Sequence, residues 1–204
     1  FQVRGNGTVC YPSQYEPWAR EIGGRHPGFD PLAVAIEKAH ENGLELHAWI
    51  NVYPGWRGDQ APADPSQLYN QHRDWFMRSR FGSPQPLKKG YVWLSPTHPQ
   101  VQDYLLKICK EIYTDYEIDG LHLDYIRYPG SEYSWDETSV DIFKNRFRAA
   151  PEERPRSWRV WRQMAITNFL ERLYPAFKDA RPDAPLTASV IADVQRGRNI
   201  FFQD

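Results

Sequence analysis

The chain contains no apolar run of about 18 residues, the length at which a membrane-spanning helix becomes readable, so no membrane span is expected. Cysteine is scarce: Cys10 and Cys109 are too few and too far apart for a disulfide scaffold or a zinc knuckle. Charge of one sign is missing too, with Lys+Arg 25 against Asp+Glu 26, so there is no net basic field to gather nucleic acid. A phosphate-cradling turn is also lacking. The only approach to one, Gly5-Asn6-Gly7-Thr8, runs into Tyr11-Pro12-Ser13 instead of entering a helix. Neither an initiator Met nor a signal peptide precedes the strand-like Phe1-Gln2-Val3-Arg4, and the end is the apolar Ile200-Phe201-Phe202 cluster. The expectation is a piece of a longer protein.

What is present is a globular composition: 204 residues, 41% hydrophobic and 25% charged, read as one domain over 1–204. Aromatic residues reach 15%, with 8 Trp, 12 Tyr and 10 Phe, many in polar stretches where a core would not place them. Four strand–helix units are expected. Strands are read over 1–9, 44–52, 120–127 and 186–191. Helices are read over 30–42, 99–116 and 158–180, with Pro175 expected to kink or end the last. In the first helix Leu32, Ala35, Ile36 and Ala39 recur at helical spacing behind an Asp30 N-cap and Pro31. Alternation of this regularity calls for right-handed crossovers and a parallel sheet. Setting aside the two long irregular stretches, 52–92 and 129–157, leaves about half of the ~250 residues of a (β/α)8 TIM barrel. The fold class is therefore α/β, half of such a barrel with two elaborated loops.

Strand alternation sorts side chains onto two faces. Val3, Ala48, Ile50, Leu121 and Leu123 form the apolar set that should lie under the helices. Gln2, Arg4, His47, Trp49, Asn51, His122 and Asp124 form the opposite, inward set, joined by Thr187, Ser189 and Asp193 from the last strand. Barrel interiors are ordinarily filled by branched apolar residues, and each unpaired polar group buried there costs about 1–3 kcal/mol. A polar interior whose members gather toward strand C-termini marks a site. Asp119, at the strand's entry, reads as a turn residue, and Cys109 as a small buried hydrophobe.

At these residues the chain resembles the glycosyl-hydrolase-like family ten. The resemblance is carried by Phe1-Gln2-Val3-Arg4, Tyr11-Pro12-Ser13, Glu16-Pro17-Trp18, Asp30-Pro31-Leu32 and the strand from Leu44 to Asn51. Trp93-Leu94-Ser95-Pro96, Asp119 to Tyr125 and Arg127-Tyr128-Pro129 complete it, with a close match over about 1–130. It implies a glycoside hydrolase barrel of which this stretch supplies the second to fifth strands, the remainder coming from flanking sequence. It further implies an extracellular or cell-envelope setting and a carbohydrate substrate. The strand ending in Asp124 is similar to the fourth strand of α-amylase-type barrels, whose terminal Asp is the nucleophile.

Glycoside hydrolysis needs two carboxyl groups. Asp124 is the expected nucleophile or charge stabiliser, kept ionised by a neighbouring cation such as Arg4. Asp193 is the nearest expected acid, with Glu132, Asp136 and Glu137 on a loop above the site. His47, Asn51 and His122 offer donors and acceptors for hydroxyls. Trp49, Tyr53, Trp56, Trp93, Tyr125, Tyr128, Tyr133 and Trp135 offer flat faces for sugar rings, with Arg127 among them. The first loop is basic through Arg57, Arg73, Arg78, Arg80, Lys88 and Lys89, and an acidic sugar is a second possibility there. No cofactor and no metal are expected. Two other classes stay open: a carbohydrate-binding barrel without catalysis, suggested by Tyr125 where the family commonly carries a second acid, and a metal-dependent hydrolase using His47, His122 and Asp124. The His-x-His pair usual for the latter is not visible in the sequence.

Overall fold

The computed structural model describes residues 1–203; for Lys89 it describes the backbone alone, so the part given to that residue in the basic loop lies outside the described side chains. Four strands, β1 (Gln2–Arg4), β2 (His47–Asn51), β5 (Gly120–Asp124) and β6 (Leu186–Ala188), form one parallel sheet in the order β1-β2-β5-β6. Between β2 and β5 lies a second, antiparallel pair, β3 (Pro54–Arg57) with β4 (Tyr91–Trp93). The crossovers are made by α1 (Pro31–Glu41), α3 (Pro99–Asp115) and α5 (Pro155–Ala180). Shorter helices α2 (Leu68–Gln71), α4 (Glu137–Phe147) and α6 (Val194–Arg196) sit in the connections.

Local signals explain the main elements. The Asp30 carboxylate accepts from the amides of Leu32 and Ala33, capping α1 ahead of Pro31. The apolar strand face is buried as the alternation requires: Val3, Ala48, Leu121 and Leu123 have no exposed surface. It packs against Val101, Leu105, Ile108 and Ile112 of α3 and Phe169, Leu173 and Phe177 of α5. Burying a side chain of this size contributes about 1.5–3 kcal/mol, so these residues anchor α5 to the sheet.

Several boundaries differ from expectation. β1 ends at Arg4 instead of running to Val9, because the chain turns back through Gly7 (φ +72°) and bridges Arg4 to Val9 antiparallel. A Cβ on Gly7 would meet the Gly55 carbonyl oxygen at 2.4 Å, so only glycine fits this turn. β5 ends at Asp124 and not at Arg127, since Tyr125 takes a left-handed backbone (φ 50°). β6 is likewise shorter than read. α5 passes through Pro175 unbroken. Pro175, like Tyr174, lies on the exposed side while Leu173 and Phe177 are clamped in the core, so water can serve the carbonyl that proline leaves unbonded. α4 was hidden in the second irregular stretch, although Asp136 capping Ser139 and the Val140–Phe143–Phe147 spacing announce it.

Candidate functional site

The exposed face of the sheet rises in layers. Register pairs His47 with Gly120, then Trp49 with His122, then Asn51 with Asp124. In the middle layer the rings of Trp49 and His122 meet edge to face at 6.5 Å. His122 bonds Thr187 Oγ1 (2.8 Å) through Nδ1 and Ser189 Oγ (2.9 Å) through Nε2. Above it, Asn51 accepts from Trp49 Nε1 at 3.1 Å and donates to the Gly5 carbonyl at 3.0 Å. Two hydroxyls and an amide thus orient the rings of this face.

Asp124 stands half-buried at the C-terminal end of β5. Its Oδ1 accepts the Tyr125 amide at 2.7 Å, and Tyr125 itself takes a left-handed backbone (φ 50°) that ends the strand. A non-glycine residue in that region stores strain of about 1–3 kcal/mol, a cost that clusters at functional sites. Beyond Asp124 the rings of Tyr125, Tyr91 and Trp93 meet pairwise at 5.3, 5.4 and 6.4 Å. The Arg127 guanidinium lies over Trp93 (5.3 Å), Tyr125 (5.1 Å) and Phe201 (4.8 Å). Burial lowers the pKa of Arg127, and the charges of Tyr125 and Asp124 act against that fall.

The structure gathers Trp49, Asn51, His122, Asp124, Tyr125 and Arg127 around this end of the sheet, and separates the other expected residues from it. Arg4 is not the cation beside Asp124. A register shift in β1 sets Gln2 against Trp49 but Arg4 against Ile50, which turns Arg4 into the buried layer. There its guanidinium meets Glu16 at 2.7 Å with neither side chain exposed, and it donates to the carbonyls of Asn51, Val52 and Pro54. His47 shares the exposed face but sits at the entry end, four residues and roughly 13 Å of strand from the Asp124 layer. It bonds Glu45 instead, at 3.1 Å. Tyr53 and Tyr128 offer no ring face, both being wholly buried; Tyr128 donates to the Arg162 carbonyl and burial pushes its phenol up. Asp193 caps α6, accepting from the Arg196 amide at 2.9 Å. Asp136 is buried in the loop, its carboxyl raised by burial even though Ser95 and Ser139 act to lower it. Among the described residues no three His, Cys, Asp or Glu side chains are placed to hold a metal ion.

The residues missed from sequence are those that build the rim. Glu16 is the partner of Arg4, and Tyr104 also donates to it at 3.1 Å. Buried Glu111 of α3 receives Tyr11 Oη (2.9 Å), Ser13 Oγ (2.6 Å) and the Gln14 amide (2.7 Å), docking the first loop. A lone Glu among the apolar positions of α3 was the available signal.

A parallel βαβ sheet with a strand-end carboxylate beneath aromatic rings defines the class at the level of fold: an α/β domain with its open polar groups at the C-terminal ends of the strands. The comparisons with known proteins agree. The glycosyl hydrolase-like 10 family model matches residues 1–204, and the chain belongs to that family. The glycosyl hydrolase DigH of Escherichia coli is 34% identical over 156 residues, covering 68% of this chain and 33% of the relative. Two solved structures share the fold. The α-L-fucosidase isoenzyme 2 of Paenibacillus thiaminolyticus superposes with TM-score 0.71 at 20% identity, over 96% of this chain and 27% of that one. The PgaB (BpsB) glycoside hydrolase domain of Bordetella bronchiseptica gives TM-score 0.61 at 14% identity, over 100% and 58%. The chain spans about a third of the length of the curated relatives it matches.

Proposed function

We propose that this chain supplies the catalytic carboxylate of a glycosidase that cleaves O-glycosidic bonds in an oligosaccharide or polysaccharide. Within that reading it forms strands two to five of a (β/α)8 barrel completed by flanking sequence. The observation that supports this is Asp124: a strand-end carboxylate, half-open, with one oxygen tied to the Tyr125 amide and aromatic rings above it. Its other oxygen is then available to meet a developing cation at a sugar C1 or to attack it. The Arg127 guanidinium lies close enough to feel the charge of Asp124, and so places a cation beside this carboxylate. Trp49 and Tyr125 offer ring faces, while His122, bonded through both nitrogens, fixes the ring of Trp49. The protonating acid is left to a residue of the flanking sequence, because Asp193 is engaged as the α6 cap. Asp124→Asn in the full-length protein should abolish reducing-end release from a glycan panel while glycan binding persists; undiminished release would remove Asp124 from the mechanism.

A second reading, a barrel that binds carbohydrate without cleaving it, is favoured by the use of Asp193 as a helix cap. Binding without any reducing-end release by the wild type would select it. In either case the substrate class points to an extracellular or envelope location, which fractionation of producing cells would check.

A further inference from the structure

Arg162, in the first half of α5, is a buried cation outside the Asp124 site. Burial lowers its pKa to about 10, so the guanidinium is charged at neutral pH. Unlike Arg4, among the described residues it forms no ion pair, and its Nε has no acceptor there. A charge held out of water without a counter-ion is costly, so other groups must offset that cost. Three rings do so: the guanidinium lies 4.0 Å from the centre of Phe202, 5.5 Å from that of Trp158 and 6.0 Å from that of Tyr128. Its Nη1 also donates to Ser134 Oγ at 2.9 Å. Ser134 is wholly buried and holds a φ of 109°, where glycine would be unstrained. A glycine there would shed the strain and lose the hydroxyl that Arg162 uses.

These contacts join three segments behind Asp124: the second long loop through Ser134, the turn after β5 through Tyr128, and the segment 197–203 through Phe202. Tyr128 is held at each of its groups. Its hydroxyl donates to the Arg162 carbonyl (3.2 Å), its amide donates to the Phe201 carbonyl (3.1 Å), and its ring meets Phe202 edge to face at 5.1 Å. The Gln203 side chain closes the clamp, donating to the Ile126 carbonyl at 3.3 Å and accepting from the Ile191 amide at 3.1 Å. Arg127 lies in that clamped turn, between Ile126 and Tyr128. Its guanidinium donates to the Tyr128 carbonyl and is covered by the Phe201 ring. Consecutive phenylalanines therefore face different arginines, Phe202 the buried one and Phe201 the one beside Asp124. One hydrogen bond does not fix a side chain with the rotamer freedom of arginine, so the Phe201 ring is needed to keep this guanidinium where it is.

We propose that Arg162 is a positioning residue of the Asp124 site: with Phe202 it clamps the segment 197–203 against Tyr128, and Phe201 of that segment holds the Arg127 guanidinium beside Asp124. The proposal rests on the glycosidase reading above and adds to it a buried residue that acts through Arg127. Loosening the clamp leaves Asp124 and the ring faces in place and lets Arg127 swing away. Turnover then falls while substrate binding is kept.

The test uses the full-length protein carrying Arg162→Met, which keeps the apolar stem and removes the charge. It should lose about tenfold in kcat for glycan cleavage while KM stays within about twofold of wild type. In an Arg127→Ala background the same substitution should leave kcat where Arg127→Ala alone put it, because residues that act through one another are not additive. A side chain that only stabilises the fold would instead lower the melting temperature and give losses that multiply. Should Arg162→Met lose its fold by circular dichroism, the partly exposed Phe201→Leu decides, with the same loss and the same non-additivity expected. A readout free of activity is the nuclear magnetic resonance signal of the Arg127 Nε–H, which should shift in Arg162→Met and stay in place in Lys107→Ala on the outer face of α3. An unchanged kcat in a folded variant, losses that multiply with those of Arg127→Ala, or an unshifted signal each overturn the proposal. Wild-type protein that releases no reducing ends while the signal shifts refutes hydrolysis and leaves the clamp standing; release with multiplying losses does the reverse.

Discussion

Two arginines, one at each side of the sheet's C-terminal edge, follow opposite designs. Arg4 is sealed: Glu16 neutralises it at 2.7 Å, its Nη1 donates to a cluster of three backbone carbonyls, and no surface is left for a ligand. Arg127 is half-open and stacked on rings; among the described residues its side chain donates one hydrogen bond, to the Tyr128 carbonyl at 3.2 Å, and the charge of Asp124 is nearby. A buried cation closed off with its own buried counter-ion can only hold structure together. One whose bonding is incomplete beside a carboxylate has capacity left for a substrate. The comparison teaches that completeness of partnering, more than residue type or strand position, separates scaffold from site.

Two substitutions test this contrast, beginning with the larger effect. Glu16→Ala strands the Arg4 charge in the interior and should cost about 3–5 kcal/mol of stability, read as a lower midpoint in urea. A midpoint within error of wild type would show that Arg4 finds another partner. Arg127→Ala should do the converse, lowering kcat/KM for glycan cleavage by roughly a hundredfold, on the scale of losing one electrostatic stabiliser. Its melting temperature should move far less than that of Glu16→Ala. If Arg127→Ala loses stability and keeps activity, the two arginines are not different in kind.

The smallest effect concerns Asp136, a carboxyl raised by burial. The folded state holds its proton more tightly than the unfolded chain, so its contribution to stability is present below the ordinary carboxylate value and is lost as pH rises through the raised one. Asparagine caps a helix as well as aspartate does. Asp136→Asn should therefore flatten that part of the stability–pH curve and gain on the wild type as pH rises from about 4 to 7. Parallel curves would mean that Asp136 carries no such pH dependence.

The strand order and the apolar face were legible because both follow from local repetition: alternation along β2 and β5, and helical spacing along α1 and α3. Asp124 was legible for the same reason, as the last inward residue of a strand. Arg4 was misplaced because alternation assumes an unbroken register, and the shift between Gln2 and Arg4 leaves no mark in composition. His47 was misplaced along the strand, not across it. Its side is a matter of parity, while its depth depends on where pairing with Gly120 begins. Tyr53 and Tyr128 looked like rim aromatics because they follow strands, yet the loops fold over them.

By itself, then, the amino-acid sequence determined the βαβ rhythm, the buried face and the carboxylate at the end of β5, since each depends on neighbours a few residues apart. Only the tertiary structure decided which cation accompanies Asp124, which aromatic rings stay in reach of solvent, and that Arg162 and Phe202 meet behind the same rim. Those outcomes depend on the Glu16, Glu111 and Phe202 contacts, which join segments 12 to 100 residues apart, and no local periodicity encodes pairings over such distances.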